Sequence, residues 1–250
     1  MKYFFDKIIK PYIIQNKYKN LCEIGSGKGD HADKLLLIGP VSLSIVDPCL
    51  DSDLLNKYRD FKRVKVLKGL SLEILPKISE RFDCILIDGD HNWFTVFNEL
   101  KIIEERNLIK NGGTIFFHDV CWPYGRRDMY YLPGSIPEAF RHPYAKKGIE
   151  RDKSALSETS TFINHRNNAI YEGGPRNGVL TAIEDFLDAY GKQYKFFYFK
   201  RKTGLGVLIK GKNVKTKIIF LRWLYLIKYY EIIDMVPRFL KYLSRPSGAK

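Results

Sequence analysis

The chain has 250 residues, 45% of them hydrophobic, which suits one large or two small folded domains and excludes wholesale disorder. The formal charge of +14 is uneven: residues 191–250 hold 15 Lys and Arg against two acids, and the first 190 residues are nearly neutral. The four cysteines stand singly, which excludes a disulfide framework or a structural zinc site and favours a reducing, cytoplasmic compartment. The N-terminus lacks the apolar segment of a secretory signal.

Strand-like and helix-like segments alternate through the first 120 residues. The first 20 residues have the pattern of a short surface helix broken at Pro11. Predicted strands follow in NLCEIGSG, VSLSIVD, RVKVLKG, FDCILIDGD and GTIFFHD, and predicted helices in DHADKLLLIG, SDLLNKYRDF, LEILPKI and NWFTVFNELKIIEERNLI. This alternation predicts a parallel sheet covered by helices on both faces.

The pattern breaks between residues 121 and 178, a stretch rich in Pro, Gly, Asn, Arg and aromatic residues. Loops of this length in a folded domain are usually functional, so we predict an insert that covers the substrate. VLTAIEDFLDAYG then predicts a helix, and YKFFYFKRKTGLGVLIKGK predicts two strands around Thr203 and Gly204. Residues 214–250 are predicted to form a basic amphipathic helical tail.

Four predicted strands end in residues that can bind a ligand: Gly25, Asp47, Asp88 and Asp119. In a parallel sheet the carboxyl ends of the strands share one edge, and ligands bind there. The turn EIGSGKG lets the backbone approach a ligand closely, and Asp47 can accept hydrogen bonds from ribose hydroxyls. A tight structural turn beside a solvated aspartate is the alternative interpretation.

These features resemble the class I S-adenosylmethionine-dependent methyltransferases, through EIGSGKG, Asp47, FDCILIDGDH and GGTIFFHDV. The resemblance implies an α/β, Rossmann-like, doubly wound and mostly parallel seven-stranded sheet with helices on both faces. A C-terminal helical extension would follow a methyltransferase domain of residues 1–213. The implied cofactor is S-adenosylmethionine, with binding residues Glu23, Gly25, Ser26, Gly27, Gly29, Asp47, Ser71 and Asp88.

The stretch IDGDHNW is similar to metal-dependent O-methyltransferases, including those that act on macrolide sugars. The resemblance implies His91 as general base, and Asp88, Asp119 and His118 as ligands of Mg²⁺ or Mn²⁺, with Asp88 and His118 also catalytic. A histidine at position 118 replaces the first acid of the family's pair, and imidazole suits Mn²⁺ better than Mg²⁺. Two alternatives stay open: a base without a metal, and a polar turn that only caps the next helix.

The insert supplies candidate acceptor-binding residues, namely Arg126, Arg127, Tyr130, Arg176 and Asn177. Together with the resemblance, they favour a sugar or glycosylated small molecule as the acceptor of O-methylation. Ordinary packing within the loop is the alternative for each residue. A metal-dependent oxygenase or hydrolase, and an inactive cofactor-binding protein recruited to membranes, are the alternative functions.

The basic tail is too short and too charged to cross a membrane. Its aromatic stripe favours packing on the domain or on a second subunit of a homo-oligomer. Contact with the inner face of an anionic membrane is the other interpretation. No nucleic-acid partner is predicted, because the sequence contains no recognition module.

Overall fold

Ten β-strands form two sheets in the computed structural model, which describes residues 1–211. The predicted tail of residues 214–250 lies outside the described residues. The strands are β1 (Asn20–Ile24), β2 (Ser42–Asp47), β3 (Val64–Lys68), β4 (Phe82–Ile87), β5 (Ile109–His118), β6 (Met129–Tyr130), β7 (Tyr144–Ala145), β8 (Asn167–Ala169), β9 (Tyr194–Phe199) and β10 (Leu205–Lys210).

The main sheet has seven strands in the order β3-β2-β1-β4-β5-β10-β9. The first five strands pair in parallel, as the alternating sequence pattern predicts. Strand β10 pairs antiparallel with both β5 and β9, so the sheet is mixed, and the prediction of a mostly parallel sheet is corrected. The reason is the tight turn between β9 and β10, because only antiparallel strands can be joined by so short a connection.

The described part of the chain, residues 1–211, has seven α-helices around this sheet: α1 (Lys2–Phe4), α2 (Lys10–Gln15), α3 (Asp30–Leu37), α4 (Ser52–Arg59), α5 (Ser71–Ile74), α6 (Trp93–Glu105) and α7 (Val179–Tyr190). Neighbouring side chains of β5 alternate between the two faces. Ile115 and Phe117 join a core cluster with residues of α6 and α7, while Phe116 contacts Tyr12 of α2. Helices therefore cover both faces, and β5 is buried between them.

The N-terminal segment differs from its prediction as a surface helix broken at Pro11. A π-helical turn, Phe5–Ile9, joins α1 to α2, and the helix continues through Pro11. Proline lacks an N–H, but it lies in the first turn of α2, where that loss costs little. Phe5, Ile9 and Ile13 are fully buried, so this segment packs on the domain as part of its core.

The insert is partly regular. Its strands β6, β8 and β7 form a small antiparallel sheet, which the sequence pattern did not predict. Asp128, immediately before β6, connects this insert to the main domain: its carboxylate accepts hydrogen bonds from the backbone N–H groups of Trp93 and Gly178, at 2.7 and 2.6 Å. The insert is thus held at the N-terminal ends of α6 and α7, beside the carboxyl edge of the main sheet.

Within residues 1–211, no helix combines the length and apolar character that crossing a membrane requires. The helices of this part of the chain are short. The longest, α6, has 13 residues, whereas a spanning helix needs about 20 apolar residues.

Candidate active site

The glycine turn after β1 lies directly against the turn after β4. A Cβ atom built on Gly25 would lie 2.3 Å from the Cα of Gly89, and Gly25 has a φ of +84°. Only glycine satisfies both the backbone conformation and the close approach. The two loops that carry the predicted cofactor and catalytic residues are therefore in backbone contact.

Asp47, at the end of β2, holds the glycine turn in place. Its carboxylate accepts hydrogen bonds from the N–H groups of Gly27, at 2.8 Å, and Cys49, at 2.7 Å. The space beside Gly27 is open, since no atom lies within 4 Å of the Cβ that another residue would carry there. Asp47 thus stands at the edge of an open cradle, with lone pairs left to accept ribose hydroxyls.

Buried polar atoms around this cradle have no partner among the described residues. They include both carboxylate oxygens of Glu23 and the hydroxyl of Ser26. Burial raises the pKa of Glu23, and His31, whose Nδ1 lies 3.5 Å from Oε1, partly offsets this effect. Burying such polar atoms destabilises the fold unless a ligand supplies hydrogen-bond partners. The cradle therefore fits a cofactor that carries hydrogen-bond donors, as S-adenosylmethionine does. Ser71 begins α5 and is half-buried.

Two aspartates and two histidines meet at the ends of β4 and β5. His118 Nδ1 lies 3.0 Å from Asp88 Oδ1 and 3.1 Å from Asp119 Oδ1. His91 Nε2 lies 3.1 Å from Asp119 Oδ2 and 3.7 Å from Asp88 Oδ1. The structure therefore brings together the residues that the sequence predicts for catalysis and for metal binding.

A cation fits this group by the nature of its donors. Asp88, His91 and His118 each offer a ligand atom, and these atoms all lie within 4.8 Å of one another. The set predicted from the sequence shares Asp88 and His118 but has Asp119 as its third member. Mixed carboxylate and imidazole ligands suit Mn²⁺, Fe²⁺ or Zn²⁺ better than Mg²⁺.

Electrostatic interactions within the group favour the charged forms of Asp88 and His91. Burial opposes the ionisation of Asp88, but hydrogen bonds to His118 and His91 outweigh it and hold the pKa of Asp88 below its usual value. Burial likewise disfavours the charged form of His91, but Asp119 and Asp88 raise its pKa above the usual value. The carboxylates are thus suited to stabilise an imidazolium at position 91.

Most of the predicted acceptor-binding residues have partners inside the protein. The guanidinium of Arg127 is fully buried and donates to the carbonyls of Ala169, at 2.5 Å, and Ser154, at 2.5 Å. Arg126 pairs with Glu184. Among the others, Asn177 accepts from the N–H of Asp128, Tyr130 donates to the Asp128 carboxylate, and Arg176 lies over the rings of Trp93 and Phe140.

Thr203 and two tyrosines of the insert also approach this reaction centre of aspartates and histidines. Thr203, in the turn between β9 and β10, lies 3.0 Å from His118 Nε2 through its Oγ1. The rings of Tyr124 and Tyr131 lie 5.8 and 6.0 Å from the ring of His91. Local patterns carry no signal for these contacts, because each depends on how a distant segment folds back.

The described fold and site define a Rossmann-like α/β domain with a cofactor cradle at the carboxyl edge of its sheet. Residues 22–120 match a protein family described as Methyltransferase domain. No curated protein sequence matches the chain.

Solved structures show the same fold at low sequence identity. An SAH-bound methyltransferase from Podospora anserina is 15% identical with a TM-score of 0.51, over 82% of this chain and 76% of that one. An O-methyltransferase family protein from Burkholderia thailandensis is 10% identical with a TM-score of 0.53, over 85% of this chain and 56% of that one. Residues 22–120 therefore match a methyltransferase family, and the chain has the fold of these methyltransferase structures.

Proposed function

We propose that the protein transfers the methyl group of S-adenosylmethionine to a hydroxyl oxygen of a sugar or glycosylated small molecule. The observation that carries this proposal is the pairing of His91 Nε2 with Asp119 Oδ2 at 3.1 Å, beside a cofactor cradle. A histidine with a carboxylate partner is a common general base, and a hydroxyl needs a base to become a nucleophile.

The reaction is an in-line displacement at the methyl carbon. The acceptor oxygen forms a bond to that carbon while the carbon–sulfur bond breaks, and S-adenosylhomocysteine leaves. The hydroxyl proton passes to His91, whose Nε2 lies 3.1 Å from Asp119 Oδ2 and 3.7 Å from Asp88 Oδ1. The two carboxylates stabilise the resulting imidazolium, which lowers the barrier to transfer.

A divalent metal is the second part of the proposal. Asp88 and His118 would hold it, with either Asp119 or His91 as the third protein ligand. Such an ion, when bound, lowers the pKa of an acceptor hydroxyl. Thr203 and His118 lie 3.0 Å apart, so the threonine fixes the orientation of the ring that presents Nδ1 to the group.

The insert supports the acceptor side of the proposal. Tyr124 and Tyr131 place aromatic rings beside His91, and such rings can stack on the apolar face of a sugar. Tyr131 is 44% exposed, so its ring is accessible to a ligand from solvent.

Calorimetric titration with S-adenosylhomocysteine tests the cofactor site. We expect micromolar binding to the wild type and a loss of about tenfold or more in Asp47→Ala, because the ribose hydroxyls lose their acceptor. Asp53→Ala is the matched control, since Asp53 is exposed in the first turn of α4. Absence of binding to folded wild-type protein would overturn the proposed function.

A further inference from the structure

Three arginines of the insert, Arg151, Arg166 and Arg176, lie over aromatic rings. The guanidinium of Arg166 lies 4.9 Å from the ring centre of Tyr131. Within residues 1–211, none of the three arginines forms an ion pair with a carboxylate, whereas Arg126 and Arg127 do.

Arg166 stands next to the reaction centre. Tyr131, over which it lies, has its ring 6.0 Å from the ring of His91. Arg166 is half-buried, whereas Arg151 and Arg176 are exposed. A partly desolvated charge without a partner is costly, and an anion of the substrate would offset that cost. Arg166 is accordingly the arginine whose position most favours a role in binding the acceptor.

The geometry of a stacked guanidinium suits an oxyanion. Stacking uses the face of the group and leaves its N–H donors at the rim, where two of them can bind one phosphate or carboxylate. The ring of Tyr131 offers an apolar surface beside those donors. One ligand with both an anionic group and a sugar ring would match this pair of side chains.

The acids of the reaction centre do not occupy Arg166. Asp88, Asp90 and Asp119 form no ion pair with Arg166. His91 and His118 contact two of these acids instead. An anionic group at Arg166 would thus bind apart from the inner carboxylates, with the rest of the acceptor extending towards His91.

We propose that Arg166, supported by Tyr131, binds a phosphate or carboxylate group of the acceptor, which makes the substrate an anionic sugar. This inference rests on the proposed function and specifies its acceptor class. Arg166 acts as a specificity-determining residue, because it fixes one end of the substrate while a hydroxyl at the other end meets the base.

The wild-type protein allows a test without any variant. Glucose 6-phosphate, glucuronate and glucose are titrated calorimetrically into protein saturated with S-adenosylhomocysteine. We expect at least one of the two anions to bind about tenfold or more tightly than glucose, as a charge-assisted bidentate contact predicts. The stronger anion identifies the group as phosphate or carboxylate, and equal affinity for all three sugars would overturn the inference.

Variants then locate the effect. Arg166→Gln should reduce the preference for the anion to about onefold. Arg166→Lys should keep part of the preference, because lysine retains the positive charge but cannot donate two parallel hydrogen bonds to one oxyanion. Arg63→Gln is the matched control, because its loss changes the net charge equally. Arg63 is exposed and lies just before β3, an edge strand of the main sheet. An unchanged preference in Arg166→Gln would contradict the assignment.

The two proposals fail differently. Absence of S-adenosylhomocysteine binding to the wild type overturns the proposed function, whereas normal binding without a preference for anions overturns only the assignment of Arg166. Should Arg166→Gln not fold, the wild-type comparison and Arg166→Lys decide the matter.

Discussion

At His91, proton transfer and metal binding compete for one side chain. Its Nε2 faces two carboxylates, and the same atom can serve as a ligand together with Asp88 and His118. The other ring nitrogen, Nδ1, is buried without a partner among the described residues. The chemistry at Nε2 therefore decides the role of the residue.

Replacing His91 by Ala separates the two roles. We expect turnover with a methyl acceptor to fall by about 100-fold or more, as for other general bases, while affinity for S-adenosylhomocysteine stays within about twofold. Affinity for Mn²⁺, measured by electron paramagnetic resonance, should also persist if Asp119 completes the ligand set. His165→Ala is the control, because His165 is exposed in the insert. Parallel loss of turnover and cofactor affinity would contradict a role as base.

Glu99 is a second residue whose environment is unusual. It lies on α6 and is fully buried. Burial raises the pKa of Glu99 to about 8. The folded protein therefore keeps this carboxyl protonated under conditions in which the unfolded chain releases the proton.

The sign of the pH dependence follows from that difference. Below the ordinary pKa of 4.5, both states are protonated and Glu99 has no pH-dependent effect. As the pH rises from there to about 8, ionisation of the unfolded chain lowers the stability of the wild type. Relative to Glu99→Gln, the wild type should lose roughly 3 kcal/mol of unfolding free energy over this window.

Urea unfolding at pH 5 and pH 8 measures this loss. The amide of the Gln variant adds the same cost at both pH values. The change in unfolding free energy between pH 5 and pH 8 therefore distinguishes the wild type from the variant. Glu105→Gln, an exposed position at the end of the same helix, should follow the wild type. Parallel stability curves for the wild type and Glu99→Gln would show that Glu99 is ionised in the folded protein.

At the scale of elements, Asp128 joins three parts of the fold. Its carboxylate accepts from the N–H of Trp93 at the start of α6, from the N–H of Gly178 before α7, and from the hydroxyl of Tyr130 in β6. Burial raises the pKa of Asp128 to about 6. One buried side chain thus contacts the insert and the N-terminal ends of both helices.

Asp128→Asn should weaken that junction. The amide presents a donor where the site has only donors, so at least one N–H or hydroxyl loses its acceptor, at a cost of about 2 kcal/mol. We expect a lower urea midpoint, and faster hydrogen exchange at the N-terminal ends of α6 and α7. Asp188→Asn, at an exposed position of α7, is the control. Equal midpoints for the two variants would show that the junction contributes little.

The elements differ in how far the sequence predicts them. Strands β1–β5 and helices α6 and α7 are predicted well, because runs of five or more residues carry a clear period. Strands β6 and β7 have two residues each, too few for any period to appear. The helix through Pro11 was missed because a proline within the first turn of a helix resembles a helix break.

For the whole molecule, the sequence predicts which residues stand at strand ends, and the sheet then brings Asp88, His91, His118 and Asp119 together. It does not predict which arginines of the insert form ion pairs with carboxylates and which do not. Arg126, Arg127 and Arg166 look alike in the sequence, yet two are paired with Glu184 and Glu172, and the third lies over Tyr131. That distinction depends on contacts between segments distant in the chain, which local patterns do not record.

The contact between Thr203 and His118 has a consequence for synthesis of the chain. The cradle residues, both aspartates and both histidines are made within the first 119 residues, whereas Thr203 follows 85 residues after His118. A nascent chain thus carries every group needed for the cofactor well before the hairpin that positions the His118 ring. Thr203 is therefore synthesised after every residue of the cradle and of the aspartate–histidine group.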